Sequence, residues 1–356
     1  MLNKFKNKKI IITGHTGFKG SWLALWLKLL GAKIIGISLD APTKPSHFIL
    51  LNLRKKIIDI KLDIRNLKKL EKIFKKYQPD FVFHLAAQSL VTRSYKDPIK
   101  TFTTNTVGTM NVLESLKKIN KRFAAIIVTS DKSYKNLEIK RGYHEKDLLG
   151  GSDPYSASKA AAEIIIQSFI NSYFKKNKSQ NIAVARAGNV IGGGDWSDNR
   201  LIPDCIKSWS INKKATIRNP KSTRPWQHVL EALRGYLTLA LYLYKDNKLH
   251  GEPFNFGPKH SQNKKVITLV KEMKKHWNSI LWKEQKKNND LYESRLLKLN
   301  SNKAGKKINW KPKLNFDETV EMTTTWYKNF YENKQTSVFE LSKKQINYYT
   351  KKIGFK

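Results

Sequence analysis

Three glycines constrain this chain more than any other feature. Residues Lys8-Lys9-Ile10-Ile11-Ile12-Thr13-Gly14-His15-Thr16-Gly17-Phe18-Lys19-Gly20 run from an apolar stretch into glycines spaced Gly-x-x-Gly-x-x-Gly. Trp22, Leu23, Leu25, Trp26, Leu27 and Leu29 follow in an apolar, helical pattern. The order is strand, tight turn, helix. Glycines there let the backbone turn sharply and approach a diphosphate, which then sits at the positive end of the helix. The pattern carries weight because it falls in the strand-to-helix context that the mechanism requires. A glycine turn that binds nothing is the plainer alternative.

A second apolar run, Lys33 to Leu39, ends at Asp40, twenty residues past Gly20. An acid at that place accepts hydrogen bonds from an adenosine ribose and repels a 2′-phosphate, which predicts NAD rather than NADP. A simple turn residue ahead of Pro42 is the alternative for Asp40. Further apolar runs at 56–62, 81–87 and 123–128 alternate with helical patterns at 67–74 and 105–116. This βαβα order predicts an α/β fold, a Rossmann-type doubly wound parallel sheet. Ligands on such sheets bind at the carboxyl ends of the strands. The candidate cofactor contacts are therefore Gly14, Thr16, Gly17, Phe18 and Gly20 in the turn, Asp40 after the second strand, and Ala86 and Ala87 after the fourth.

The texture changes after about residue 185. A loop at Gly192-Gly193-Gly194-Asp195-Trp196 is followed by shorter segments rich in Trp, Arg and Pro. The expected organisation is a cofactor-binding domain over 1–189, a smaller C-terminal mixed α/β substrate domain mainly over 190–332, and a peripheral basic tail over 333–356. A net charge of +40 would suit a nucleic-acid binder. Its lysines are scattered rather than gathered in one stripe, so no specific nucleic-acid partner is expected, although the field would draw an anionic substrate. No apolar run of about eighteen residues suggests a membrane span. One cysteine, Cys205, and a start that leads straight into the first strand point to the cytoplasm. The eight histidines show no metal-ligand spacing, and no metal is expected.

The chemistry concentrates at Tyr155-Ser156-Ala157-Ser158-Lys159, which opens a helix. Positions i and i+4 share a helix face, so the Lys159 ammonium is expected to stabilise a Tyr155 phenolate and make it a base near neutral pH. Ser130-Asp131-Lys132 lies 25 residues upstream at the end of the fifth strand. Ser130 is placed to hydrogen-bond the hydroxyl that Tyr155 deprotonates.

These elements resemble the extended short-chain dehydrogenase/reductase enzymes that act on nucleotide sugars, the NAD-dependent epimerase/dehydratase family. Within it the likeness is to the 4,6-dehydratases that take a CDP-hexose. It covers roughly residues 8–330. It rests on Thr13 to Leu23, Ser130 to Tyr134, Gly150 to Ser156, Gly192 to Trp196 and Arg224-Pro225-Trp226-Gln227-His228-Val229-Leu230. The resemblance implies NAD as a recycled cofactor, a CDP-hexose substrate and a homodimer or homotetramer. It also implies oxidation at C4, loss of water across C5 and C6, and reduction at C6. By resemblance Asp131 is the acid at the 6-hydroxyl. Related dehydratases carry Asp-Glu here with Glu as the C5 base, whereas this chain has Lys132; a lysine base must be neutral, and the alternative is that Lys132 only holds an anion. Asp63 and Ile64 resemble the pair that contacts adenine, and Asn189 the asparagine near the substrate diphosphate. Arg200, Arg218 and Arg224 suit phosphate oxygens, with Arg224 and His228 foremost, although any one arginine in so basic a chain can simply be solvated. Gln88 and Arg93 are placed to reach the sugar. Another nucleotide-sugar dehydratase, a 4-epimerase, or a non-catalytic RNA-binding protein of the same fold are the rival readings. An epimerase has no use for Asp131-Lys132.

Overall fold

The computed structural model describes residues 1–284, 297–333 and 335–354. Within the expected domains, 285–296 and residues 334, 355 and 356 therefore lie outside the described residues. The first half alternates as the apolar pattern requires. Strands β1 (Lys9–Thr13), β2 (Lys33–Ser38), β3 (Ile58–Lys61), β4 (Phe81–His84), β5 (Phe123–Val128) and β6 (Gln180–Ala187) are separated by helices. These are α1 (Phe18–Leu29), α2 (His47–Leu50), α3 (Leu67–Tyr77), α4 (Val91–Lys96), α5 (Pro98–Phe102), α6 (Gly108–Leu116) and α7 (Pro154–Phe169). The expected helix over 105–116 is longer than its apolar pattern. A π-helical turn at Thr103–Val107 joins α5 to α6.

The second half holds short strands β7 (Val190–Ile191), β8 (Ala215–Ile217), β9 (Thr223–Pro225), β10 (Gln227–His228), β11 (Pro253–Phe256), β12 (Asn263–Lys265) and β13 (Trp282–Glu284). Its helices are α8 (Leu201–Trp209), α9 (Val229–Lys245), α10 (Val266–His276), α11 (Asn302–Ile308), α12 (Phe316–Glu332) and α13 (Val338–Lys352). Strand β11 returns to the main sheet beside β6. The seven-stranded sheet has the order β11-β6-β5-β4-β1-β2-β3, and every pairing in it is parallel.

Side chains alternate across a strand, so a parallel sheet buried on both faces builds two cores. Ile10, Ile12, Phe81 and Phe83 pack with Trp22 and Leu23 of α1 and Leu233 and Leu237 of α9. Ile11, Val82 and Ile127 pack on the other face with Leu70 and Phe74 of α3 and Val112 and Leu116 of α6. The chain runs outward in both directions from β1 and β4, and their carboxyl ends open a crevice. The glycines make it tight. Gly14 has φ +77°, and a Cβ there would lie 2.6 Å from Ala86 N. A Cβ on Gly20 would lie 2.1 Å from the Gly14 carbonyl oxygen. Backbone thus meets backbone where the turn, α1 and the end of β4 converge.

The lysine-rich C-terminus departs from the expected peripheral tail. It forms α13, whose Val338, Leu341, Ile346 and Tyr349 are buried. The Tyr349 hydroxyl donates to Glu231 Oε2 at 2.7 Å and accepts from Arg234 Nε at 2.8 Å. Glu231 Oε1 accepts from the backbone N–H groups of Lys313 and Leu314, both at 2.6 Å. Removing the phenol oxygen leaves this buried charge short of a donor. Tyr349→Phe is therefore expected to cost about 1–3 kcal/mol of stability, read as a lower urea midpoint. An unchanged midpoint would contradict the docked position of α13.

Candidate active site

The crevice widens into a cleft of about 1880 Å³. A pocket for one small ligand usually measures about 300–1,000 Å³, so this volume suits two ligands side by side. Its floor is the glycine turn. Gly14, Thr16, Gly17, Phe18 and Gly20 all line it, as do Ala86 and Ala87 from the end of β4. The Thr16 hydroxyl hydrogen-bonds Ser38 Oγ at 2.7 Å and donates to the Leu39 carbonyl at 3.2 Å, tying the turn to the end of β2. A glycine turn whose backbone packs this closely, at the start of a helix, fits the diphosphate of a dinucleotide. Asp40 stands on the same wall, paired with Lys61 at 2.5 Å. Asp63 and Ile64 line the wall as well. The Arg65 guanidinium grips the Asp63 carboxylate at 2.6–3.1 Å and holds its pKa below the usual carboxylate value. Among the described residues, no group of three or more His, Cys, Asp or Glu side chains is placed to hold a metal.

The reacting groups stand on the opposite wall. Asp153 caps α7 by accepting from Ser156 N at 3.0 Å, and Pro154 occupies the first turn. This start fixes where Tyr155 and Lys159 emerge, one turn apart, into the cleft. Strand β5 ends at Val128, and Ser130 then caps a 3-10 turn over Asp131–Ser133. Ser130, Asp131 and Lys132 all reach the cleft. The Ser130 hydroxyl donates to Asp131 Oδ1 at 2.9 Å and stands beside the Tyr155 phenol. Gly188 faces Asp131; a Cβ there would come within 2.9 Å of Asp131 Oδ2.

Burial governs the protonation of this wall. It pushes the Tyr155 phenol up to about 12, against the neighbouring Ser130 hydroxyl. It pushes Lys159 down to about 8, with the charge of Lys19 adding and that of Glu163 opposing. Asp131 is raised by burial, against Lys132, Ser130 and Lys19. The expected lowering of the tyrosine pKa by Lys159 is thus not met among the protein's own groups. Helical spacing brings the two residues to one face, but desolvation disfavours both charged forms, and Lys159 Nζ turns to the Val128 carbonyl at 3.5 Å.

A buried ion pair supports the wall from behind. Glu163, on α7, is gripped by Arg186 of β6 through Nε at 2.9 Å and through Nη2. Glu163 Oε1 also accepts from Thr129 Oγ1 at 2.7 Å and Ser133 Oγ at 2.8 Å, one on each side of Ser130–Lys132.

Arg93, Asn189, Arg200, Arg218 and Arg224 all line the far part of the cleft. Arg200 is braced by Asp195 at 3.0 Å. Two expected substrate contacts are placed otherwise. His228 is fully buried outside the cleft wall; its Nδ1 accepts from Leu230 N as the cap of α9, and burial holds its pKa down to about 3. The backbone turns from β10 into α9 at this residue and carries the ring inward. Gln88 borders the cleft, but its amide is engaged locally. Nε2 donates to Leu90 O at 3.1 Å and Thr101 Oγ1 at 3.0 Å, and Oε1 accepts from Leu90 N at 2.7 Å. It shapes the loop after β4. Lys19, within the glycine turn but not named among the candidate contacts, also lines the cleft. Burial and Arg200 bring its pKa down to about 8, against Asp131 and Asp195. A lysine in the first turn of a helix opposes the helix dipole, and that misfit was the available signal.

Comparison with known proteins bears on this geometry. The family model described as GDP-mannose 4,6 dehydratase matches residues 11–323. The chain belongs to this family. It is 42% identical over 352 residues to the CDP-glucose 4,6-dehydratase of Salmonella typhimurium, covering 98% of this chain and 97% of that protein. It is 27% identical to the dTDP-glucose 4,6-dehydratase of Haemophilus influenzae, over 89% of this chain and 97% of that one. Among solved structures, an epimerase from Methanothermobacter thermautotrophicus superposes with a TM-score of 0.78 at 24% identity, covering 96% of each chain. The dTDP-glucose 4,6-dehydratase of Bacillus anthracis in complex with NAD gives 0.74 at 22% identity, covering 92% of this chain and 98% of that one. These two likenesses speak to the fold alone.

Lys159 gives a test of the burial argument. Its folded pKa lies below its unfolded value of 10.5, so the unfolded chain binds the extra proton. The cost to the folded state is full below pH 8 and fades as pH rises from 8 to 10.5. Lys159→Met is expected to stabilise the ligand-free protein by up to about 3 kcal/mol at pH 7 and by little near pH 10.5. Thermal melts across pH check it, and a gain that does not vary with pH would contradict it.

Proposed function

We propose that this protein is a CDP-glucose 4,6-dehydratase, forming CDP-4-keto-6-deoxyglucose. One observation carries the reading: Asp131 and Lys132 share a cleft wall with Ser130, Tyr155 and Lys159. The near full-length likeness to the Salmonella typhimurium enzyme supports the choice of CDP-glucose.

The cofactor is NAD; Gly14, Gly17 and Gly20 would hold its diphosphate, Asp40 its adenosine ribose, Asp63 and Ile64 its adenine, and Lys159 and Tyr155 its reacting end. When bound, NAD supplies a reversible two-electron acceptor, taking electrons from C4 and returning them to C6. The protein's residues manage the protons. Tyr155 and Ser130 take the proton of the 4-hydroxyl. The ketone so formed acidifies the neighbouring C5–H bond, and Lys132 removes that proton in its neutral form. Asp131, whose carboxyl is drawn toward the protonated state by burial, donates to the departing 6-hydroxyl, and water leaves. Lys132 then returns its proton to C5. Arg200, Arg218, Arg224 and Asn189 hold the diphosphate, with Arg93 near the sugar.

Ile99 and Phe102 on α5 and Ile164 on α7 are exposed apolar residues on two helices that pack together. We assign them to contact between copies, at least a homodimer. Ile164→Lys should then shift the mass measured by light scattering toward the monomer, and an unchanged mass would remove these residues from the contact. A recycled NAD and the single free thiol of Cys205 suit the cytoplasm. No described helix is long and apolar enough to cross a membrane.

The purified protein with NAD should turn over CDP-glucose faster than dTDP-, GDP- or UDP-glucose, assayed as 4-keto product. Lys132→Met and Asp131→Asn should each lower formation of that product by about 100-fold or more at saturating substrate. Wild-type rates in both variants would remove the acid–base assignment.

A further inference from the structure

Oxidising an alcohol needs a base at its oxygen, and expelling a hydroxide needs an acid at another. Ser130 stands between the two places. It neighbours the Tyr155 phenol, and its Oγ donates to Asp131 Oδ1 at 2.9 Å. Both end groups line the cleft, and the serine between them is buried.

We propose that Tyr155, Ser130 and Asp131 form a proton relay, in which the proton leaving the substrate's 4-hydroxyl passes through the phenol and the serine to the Asp131 carboxylate and is then delivered to the 6-hydroxyl as it departs.

This rests on the dehydratase reading above. The protons balance. Tyr155 gains one proton from O4 and gives one to Ser130; Ser130 gains one and gives one to Asp131. Asp131 begins as a carboxylate, becomes a carboxylic acid, and returns to a carboxylate when the C6–O bond breaks and water leaves. The C5 proton moves to Lys132 and back to C5. The relay itself draws no proton from bulk solvent, whereas the ammonium of Lys132 exchanges its protons with solvent before one returns to C5; the wall regains its starting state with each turnover.

The relay also accounts for a phenol that burial holds near 12. A tyrosine that passes a proton on as it receives one does not have to ionise beforehand, and the charge rests on Asp131. Several charged or titratable groups face these residues. Lys19 comes from α1, Lys132 stands beside Asp131, and Arg200 precedes α8; Asp153 caps α7, and Tyr236 comes from α9. The charge of Lys19 favours the carboxylate as the resting form. Burial raises its proton affinity toward what an acid for water loss requires.

Three variants test the proposal at saturating CDP-glucose. Ser130→Ala cuts the relay and leaves both ends. Its kcat should fall by about 100-fold at pH 7 and then rise about tenfold per pH unit toward pH 9, as direct ionisation of Tyr155 takes over. Ser130→Thr keeps the hydroxyl and should restore the flat wild-type profile. A serine that only steadied the substrate would lower kcat equally at every pH, and that result overturns the relay. Asp131→Asn cannot take up the proton, so C4 oxidation itself should slow by about 100-fold, read as slower growth of near-ultraviolet absorbance in a single turnover. Lys132→Met should still show that growth. If Asp131→Asn makes no 4-keto-6-deoxy product yet oxidises C4 at the wild-type rate, the relay is wrong and the dehydratase reading stands. If Asp131→Asn and Lys132→Met both make that product at the wild-type rate, the reading fails with it.

Discussion

The buried pair of Glu163 and Arg186 ties together every element that carries a reacting group. Glu163 belongs to α7, which presents Tyr155 and Lys159. Its carboxylate also holds Thr129 and Ser133, and so the segment with Ser130, Asp131 and Lys132. Arg186 brings in β6 and donates to the Tyr134 hydroxyl at 2.7 Å, which in turn donates to Asn255 of β11 at 2.8 Å. Removing one member of such a pair strands a charge in the interior at a cost of about 3–5 kcal/mol. The cleft wall is therefore held fixed at the residues that carry the titratable groups.

The opposite wall is tightened by backbone packing. Gly14, Gly20 and Ala86 meet through backbone alone, with no room for a side chain between them. The volume of the cleft, the reversal of strand order at β1 and β4, and the two kinds of wall all follow from placing the functional turns at the same ends of parallel strands.

Much of this was legible in the sequence because it is local. The glycine turn, Asp40, Ala86 and Ala87, and Ser130 to Lys132 each follow a strand directly, and a parallel sheet gathers such ends by its topology. Tyr155 and Lys159 share a face by helical spacing. What escaped depends on long-range placement. His228 and Arg224 share one short motif, yet the turn into α9 buries the histidine while the arginine stays on the cleft. The protonation of Tyr155 is set by desolvation from elements distant in the chain, so spacing from Lys159 suggested the wrong direction. The lysines of 338–352 hid a buried face at Val338, Leu341, Ile346 and Tyr349, whose spacing is helical once the charges between them are discounted.

The central claim is that the cleft removes water from a hexose rather than inverting or merely oxidising it. Mass spectrometry of the sugar nucleotide, after wild-type protein has acted on CDP-glucose with NAD in deuterium oxide, tests that claim most directly. Dehydration through C5 deprotonation predicts a product lighter by one water that carries one deuterium at C5. A product of unchanged composition, with C4 inverted and no deuterium on carbon, would contradict the account.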